Sequence, residues 1–228
     1  MMSFRFADRR AAGRHLARLL AELAGDPSVI VLALPRGGVP VGWEIATALA
    51  APLDVIIVRK LGAPGQPELA AGALASGGIR VLNRDVIRSL RIPEAALDAV
   101  AEREQREIDR QERAFRGARP QQDVTGRTVI LVDDGVATGS TVRAAVRALR
   151  TRQPARLILA VPVVAHDVAE HLRADVDLLV CGLEPDILDG VSLWYDDFDQ
   201  TTDQEVRAFL DAQAGTRAGE HDDVGETR

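Results

Sequence analysis

The segment that most constrains the fold of this chain runs from Val129 to Thr141 and reads VILVDDGVATGST. Its four leading apolar residues are typical of a strand that is buried on both faces, as in a parallel sheet. Asp133 and Asp134 follow directly, and a loop of small residues then leads to Ser140, where a helix is expected to begin. A strand, a short loop and a helix in this order predict one unit of an α/β fold.

The rest of the chain alternates in the same way between apolar runs and segments with helical periodicity. Short apolar runs predict four further strands, over residues 29–34, 53–58, 156–161 and 176–181. Helices are predicted after a cap at Asp8, over residues 41–49, from Ser140, from His166, and from a capping box of Thr202 and Glu205 to about Ala212. This alternation predicts a doubly wound α/β fold, in which helices flank a mainly parallel sheet.

Two segments depart from the alternation. Residues 61–78 are rich in Gly, Pro and Ala, and we predict a mobile loop there that leads into a weak hairpin of residues 71–75 and 79–82. Residues 84–118 pair opposite charges four positions apart, as in Glu102 and Arg106, and form a predicted helical insertion. The insertion either packs along one edge as a solvated helix or forms a dimer contact.

Length and composition bound the domain organisation and the class of partner. The 228 residues favour one domain over 1–212, and the polar, charged residues 213–228 predict a disordered tail. A net charge of −6 argues against nucleic-acid binding, which requires a basic face. Cys181 is the single cysteine, so no intrachain disulfide is expected. Without a signal-peptide pattern or a membrane-spanning apolar run, we expect a cytoplasmic protein that binds no membrane.

The loop after Asp134 has the features of an anion-binding site. Small side chains at residues 135–139 let backbone N–H groups converge, and the helix that follows adds partial positive charge. Two carboxylates beside such a site would repel a bare phosphate, so the ligand must also offer hydroxyl groups or a metal. A sugar phosphate with a vicinal diol meets this requirement. The alternative is that Asp133 and Asp134 only cap the loop.

Positive charge is predicted at the same edge of the sheet from two other segments. Arg36, Gly37 and Gly38 follow the strand at 29–34, where the glycines permit close backbone approach and the guanidinium can bind phosphate. Arg59 and Lys60 follow the strand at 53–58. Together these features indicate a ligand with phosphates at both ends and hydroxyls between them.

The segment VILVDDGVATGST resembles the 13-residue signature of type I phosphoribosyltransferases, which bind phosphoribosyl pyrophosphate. With the strand order and the PRGG loop, the resemblance covers most of residues 1–182. One departure is Gly135, where the family usually has an aliphatic residue. The resemblance implies a small hood over the site, for which residues 183–202 are the candidate, and it implies a homodimer.

The resemblance also implies a role for each candidate residue. Asp133 and Asp134 would bind the ribose hydroxyls, with Mg²⁺ held by them directly or through water. The 5-phosphate would be held by Ala137, Thr138, Gly139, Ser140 and Thr141. Arg36, Gly37 and Gly38 would form the pyrophosphate loop, where the family often has a cis peptide. The region after Lys60, with Arg59 beside it, would be the flexible catalytic loop. The catalytic residues implied are therefore Asp133, Asp134, Arg36 and Lys60.

The reaction implied is displacement of pyrophosphate from C1 of the ribose by a nitrogen acceptor, which the sequence does not identify. Trp194 and Tyr195 either form a wall on which a base stacks or clamp the C-terminal segment onto the core. Two functions stay open: a Mg²⁺-dependent phosphoribosyltransferase, or a non-catalytic regulator that senses phosphoribosyl pyrophosphate or a nucleotide.

Overall fold

The structure, a computed structural model, describes residues 4–222. The strands are β1 Val29–Ala33, β2 Leu53–Val55, β3 Val58–Ala63, β4 Gln66–Ala75, β5 Ile79–Leu82, β6 Thr128–Val132, β7 Arg156–Val163 and β8 Leu178–Leu183. The α-helices are α1 Arg9–Leu19, α2 Gly38–Leu49, α3 Arg84–Ser89, α4 Glu94–Arg116, α5 Ser140–Thr151, α6 His166–Asp175 and α7 Asp203–Asp222. Within these described residues, no helix is long and apolar enough to cross a membrane.

The central sheet has five parallel strands in the order β2-β1-β6-β7-β8. Its strands are buried because each face packs against helices, and neighbouring residues of a strand point to opposite faces. In β1, Val29, Val31 and Ala33 join the core on the side of α1 and α2. Ile30 and Leu32 join the core on the side of α5 and α6. The predicted doubly wound α/β fold is confirmed.

A second, antiparallel sheet of β3, β4 and β5 contacts α5 of the central fold and α4 of the helical insertion. The insertion, α3 and α4, is confirmed, and α4 packs against both β3 and α7. Its last turn is held by a buried ion pair, in which Nε of Arg116 donates to Oδ1 of Asp54 at 2.9 Å. Arg116 also donates to the carbonyl of Val55, so the insertion is anchored to the end strand of the central sheet.

Two predictions about the segment after residue 53 were wrong. The predicted single strand over 53–58 is divided between β2 and β3, which belong to different sheets. The predicted mobile loop after Lys60 is mostly strand, because β3 and β4 pair across a two-residue turn at Pro64 and Gly65. Proline followed by a glycine with φ of 78° favours this tight turn, so the Gly-Pro density marks a hairpin.

The helix ends were predicted with mixed success. Asp8 caps α1 by accepting a hydrogen bond from Ala11, as expected. The capping box is also confirmed, since Thr202 and Glu205 each accept a hydrogen bond from the other's backbone N–H. The predicted end of the last helix near Ala212 was wrong, because α7 continues to Asp222. Gln213 is buried and donates to the carbonyl of Ala51, which holds the helix past that point. The rest of the predicted tail, 223–228, lies outside the described residues.

Candidate active site

The acid pair and the PRGG loop meet because β1 and β6 are neighbouring parallel strands. Residues Val29 to Ala33 pair in register with Thr128 to Val132, so both strands end at the same level. Beyond the pairing, the N–H of Leu34 donates to the carbonyl of Val132 at 2.8 Å. The two loops therefore leave the sheet side by side, at the carboxyl edge where such folds bind ligands.

The contact between the loops is so close that it requires glycine. A Cβ atom added to Gly37 would overlap the carboxylate of Asp134, and one added to Gly38 would lie 2.8 Å from the carbonyl oxygen of Val132. The peptide bond between Pro35 and Arg36 is cis, as the family resemblance implies. Gly37 and Gly38 then begin α2, which directs its N-terminus toward the acid pair.

Asp134 is bound by a residue that the sequence did not identify as part of the site. Nε of Arg9 donates to Oδ2 of Asp134 at 2.7 Å, and Nη1 of Arg9 donates to the carbonyl of Asp199 at 2.6 Å. The guanidinium also lies 3.8 Å from the ring centroid of Phe198. Because Arg9 and Asp134 are only 11% and 17% exposed, this is a partly buried ion pair. Nothing in the spacing of residues 125 positions apart could have indicated it.

Asp133 has a different environment from its neighbour. Burial raises the pKa of the Asp133 carboxyl well above its usual range, and the negative charge of Asp134 raises it further. Oδ1 of Asp133 accepts a hydrogen bond from the backbone N–H of Asp134 at 2.9 Å, which favours the charged form but does not reverse the shift. The two acids therefore differ: Asp134 is an ion-paired carboxylate, and Asp133 is a carboxyl that no cation among the described residues contacts directly.

The loop after the acids presents unused backbone donors. Among the described residues, the N–H groups of residues 137–141 donate no hydrogen bond to another part of the chain. Gly139 has φ of 72°, a left-handed conformation that glycine adopts readily, and it is the N-cap of α5. The hydroxyls of Thr138 and Ser140 lie 3.3 Å apart on the exposed side. These groups, with the helix N-terminus, can bind a phosphate.

Lys60 and Arg59 point to opposite sides of β3, as neighbours in a strand do. Lys60 lines a cavity of about 270 Å³ together with Ser140 and Thr141, which brings it to the loop after the acids. Arg59 instead donates from Nε to Oε2 of Glu104 in the insertion at 2.9 Å. Of this predicted pair, the structure therefore brings only Lys60 to the loop after the acids.

Arg36 is partly exposed at the mouth of the site. Its Nη1 atom lies 3.3 Å from Oδ1 of Asp203, the first residue of α7, and this ion pair is solvent-accessible. A pair of this kind is worth about 0–1 kcal/mol. Arg36 can therefore exchange Asp203 for a phosphate at little cost in stability.

The hood candidate is an aromatic cluster that closes over the acid pair. The hydroxyl of Tyr195 donates to the carbonyl of Asp134 at 2.6 Å, and its ring, 3% exposed, packs beside Phe6 and Phe198. Tyr195 therefore fits the alternative of a clamp on the core. Trp194 is partly buried against the same cluster, and its stacking role stays a prediction.

The unusual glycine at position 135 is explained by the hood. A Cβ atom at Gly135 would overlap the side chain of Val191, which belongs to a short 3-10 helix, Val191–Trp194. The hood segment thus occupies the space that an aliphatic side chain would need.

The residues at this edge fit a Mg²⁺ ion that is held mainly by its ligand. Within the described residues, no group of three or more His, Cys, Asp or Glu side chains could form a metal cage. Mg²⁺ commonly binds one or two carboxylates and completes its shell with water and substrate phosphates. Arg9 binds only Oδ2 of Asp134, and the N–H of Asp134 binds only Oδ1 of Asp133, so each acid keeps one carboxylate oxygen that can face the ion. Both acids can therefore contribute a carboxylate oxygen to the ion.

Comparisons with known proteins agree with this geometry. The family described as a phosphoribosyl transferase domain matches residues 5–187. The Mycobacterium tuberculosis (strain H37Rv) protein Rv0571c, whose name assigns it provisionally as a phosphoribosyl transferase, is 47% identical over 206 residues; the match covers 90% of this chain and 46% of that protein. This chain thus spans about half the length of that curated relative.

Two further comparisons cover a larger share of the related protein. The bifunctional protein PyrR of Roseiflexus sp. (strain RS-1) is 33% identical over 145 residues, which are 59% of this chain and 69% of PyrR. The crystal structure of TT1426 from Thermus thermophilus superimposes with a TM-score of 0.81 at 41% identity, covering 91% of this chain and 98% of that one.

Proposed function

The chain belongs to the phosphoribosyl transferase domain family, and from this premise we propose that it transfers the 5-phosphoribosyl group of phosphoribosyl pyrophosphate to a nitrogen acceptor. The observation that carries the proposal is the contact between Gly37 and Asp134. This contact supports the proposal because it brings the acid pair next to two candidate anion-binding loops, one before α2 and one before α5. A ligand with a phosphate at each end and a diol between them matches this arrangement.

The donor would lie across the carboxyl edge of β1 and β6. Its 5-phosphate would accept hydrogen bonds from the free N–H groups of residues 137–141, with Lys60 adding positive charge from the shared cavity. Its pyrophosphate would lie against Gly37 and Gly38, with Arg36 released from Asp203 to bind it.

Asp133 and Asp134 would have different roles at the ribose. Asp133 would accept hydrogen bonds from the ribose hydroxyls, because no cation among the described residues is in contact with it. Asp134 would stay with Arg9 and fix the position of the loop between β6 and α5. Ionised Asp133 requires a nearby cation, since burial favours its neutral form.

In the reaction, the bond from C1 of the ribose to the pyrophosphate oxygen breaks, and a bond from C1 to the acceptor nitrogen forms. Arg36 and the N–H groups at the start of α2 would stabilise the negative charge that develops on the departing pyrophosphate. Mg²⁺, when bound with the donor, supplies further positive charge at the pyrophosphate oxygens. The transition state carries positive charge on the ribose, so the nearby carboxylates favour it.

Calorimetric titration with phosphoribosyl pyrophosphate tests the donor site. Wild-type protein is expected to bind it with higher affinity in the presence of Mg²⁺, and Asp133→Asn should weaken binding at least about tenfold, the loss of one charge-assisted hydrogen bond. Asp85→Asn is the matched control, because the Asp85 side chain is 87% exposed in the insertion. Failure of the wild-type protein to bind the donor would refute the proposal.

A sensor of phosphoribosyl pyrophosphate or a nucleotide is the second candidate. It is favoured by the Arg9 ion pair, which occupies one carboxylate oxygen of Asp134. Release of pyrophosphate, measured with a panel of purine, pyrimidine and amine acceptors, separates the two functions. Donor binding without turnover on any acceptor would support the sensor. Homodimerisation stays a prediction, and sedimentation of the purified chain would test it.

A further inference from the structure

The insertion carries a cluster of arginines that the donor site does not use. Arg59 of β3 and three arginines of α4 line a cavity of about 430 Å³, which we call the arginine groove. Its lining residues are Arg59, Arg103, Glu104, Arg106, Glu107 and Arg110. Four guanidinium groups face two carboxylates there, which leaves an excess of positive charge in a chain whose net charge is −6.

Buried and partly buried carboxylates hold the groove's arginines in place. Glu104 is 8% exposed and accepts hydrogen bonds from Arg59 and Arg103, both at 2.9 Å. Glu107 accepts two hydrogen bonds from Arg110, at 2.8 and 2.9 Å. These hydrogen bonds lower the pKa of Glu107 to about 2, so it stays charged at neutral pH. Fixed guanidinium groups lose less freedom when a ligand binds.

Arg106 shows that the cluster is more than a set of ion pairs between the insertion and β3. It is exposed, it lines the groove, and among the described residues it has no acidic partner. Residues 103, 106 and 110 recur at helical spacing, so they lie on one face of α4. The rise from Arg103 to Arg110 is about 10 Å, which suits a ligand with more than one anionic group.

The groove and Arg36 of the proposed pyrophosphate loop have an acidic neighbour in common. Asp203, which pairs with Arg36, also contributes to the raised pKa of Arg110, after the larger contribution of Glu107. The N-terminus of α7 begins at Asp203, and α7 packs against α4. The negative charge of Asp203 therefore acts on both Arg36 and Arg110.

We propose that the arginine groove is a second anion site, which binds a diphosphate group outside the pyrophosphate loop. Paired guanidinium groups recognise phosphate oxygens through bidentate hydrogen bonds. The lining contains only Arg and Glu, so a nucleobase has no aromatic ring on which to stack. The choice of a diphosphate rests on the proposed function, whose leaving group has this chemistry. Occupation of the groove would slow pyrophosphate release, or it would make the protein respond to the pyrophosphate concentration.

Titration with inorganic pyrophosphate tests the groove in an Arg36→Gln background, which weakens the pyrophosphate loop. Adding Arg106→Gln and Arg110→Gln should weaken pyrophosphate binding at least about tenfold, because two charge-assisted contacts are lost. Both side chains are exposed, so the fold should persist. Adding Arg88→Gln instead is the matched control, since Arg88 is 78% exposed and lies outside the groove. Equal affinity with and without the two groove substitutions would overturn the proposal.

Two further experiments identify the source of the diphosphate and test the groove separately from the proposed transferase function. Competition of pyrophosphate with a nucleoside diphosphate would extend the site to nucleotides, whereas binding of pyrophosphate alone would restrict it to the free anion. Preference for a single-stranded RNA over pyrophosphate would also overturn the proposal. If Asp133→Asn abolishes donor binding and leaves groove binding intact, the two sites are independent. Suppose that the wild-type chain binds pyrophosphate but not the donor, and that the groove variants lose this pyrophosphate binding. Only the proposed function then fails.

Discussion

Nε of Arg9 and Oδ2 of Asp134 lie 2.7 Å apart, although 125 positions separate the two residues in the chain. This ion pair joins the first helix to the loop between β6 and α5. The backbone of Gly37 lies so close that a Cβ atom there would overlap the Asp134 carboxylate, and Tyr195 donates to the carbonyl of Asp134. Four separate segments thus meet at one carboxylate and its backbone.

Replacing Arg9 should destabilise the protein and weaken donor binding together. Arg9→Gln leaves Asp134 partly buried without its cation, so we expect the free energy of unfolding to fall by about 2 kcal/mol, the scale of a hydrogen bond to a charged group. Chemical denaturation and donor titration measure the two effects. Arg18→Gln, on the exposed side of the same helix, is the control. An unchanged free energy of unfolding would mean that the ion pair contributes nothing.

The pH dependence of stability should reveal the carboxyl of Asp133. Because its pKa is raised in the folded state, its contribution to stability is fully present below its ordinary value of 3.8 and is lost as pH rises through the raised pKa. Asp133→Asn removes the cost of burying the charge, so the variant should be more stable than wild type at neutral pH. Denaturation curves from pH 4 to pH 8 should show this advantage growing with pH. An advantage that is constant over this range would contradict the raised pKa.

A methyl group at position 37 should disrupt the site without affecting distant packing. In Gly37→Ala, Cβ would lie 2.5 Å from Cγ of Asp134, so the carboxylate must move and the Arg9 ion pair must lengthen. We expect donor affinity to fall at least about tenfold, or about 1.4 kcal/mol. Gly190→Ala is the control, since its nearest neighbour would be 3.9 Å away. Wild-type affinity in Gly37→Ala would show that this contact is not required.

The anchor of the helical insertion is the buried pair of Asp54 and Arg116, which are 6% and 7% exposed. Arg116→Met leaves Asp54 buried and unpaired, so we expect a loss of about 3–5 kcal/mol in the free energy of unfolding. Adding Asp54→Asn removes the unpaired charge and keeps an acceptor for the N–H of Gln122. The double variant should recover most of the loss in chemical denaturation. No recovery would indicate that packing of the Arg116 stem matters more than charge.

Local pattern was sufficient for β1, β6, β7 and β8 of the central sheet and for the helix caps. The run of apolar residues before Asp133 predicts β6 within its observed bounds, because a strand buried on both faces needs apolar residues on both faces. Asp8, Thr202 and Glu205 cap helices as predicted, since a cap depends on residues only three positions apart. Local pattern failed after Lys60, where glycine and proline density predicts a mobile loop from Leu61 although these residues pair in a second sheet.

The sequence by itself determined which strand ends carry acids, glycines and arginines, because parallel strands bring those ends to one edge. Only the tertiary structure decided how these groups are used. It directs Arg59 to Glu104 and Lys60 to the cavity shared with Ser140 and Thr141, since neighbours in a strand face opposite sides. It also pairs Arg9 with Asp134, whereas no cation in the described part of the chain contacts Asp133. Burial and distance set these differences, and both depend on segments that are far apart in the chain.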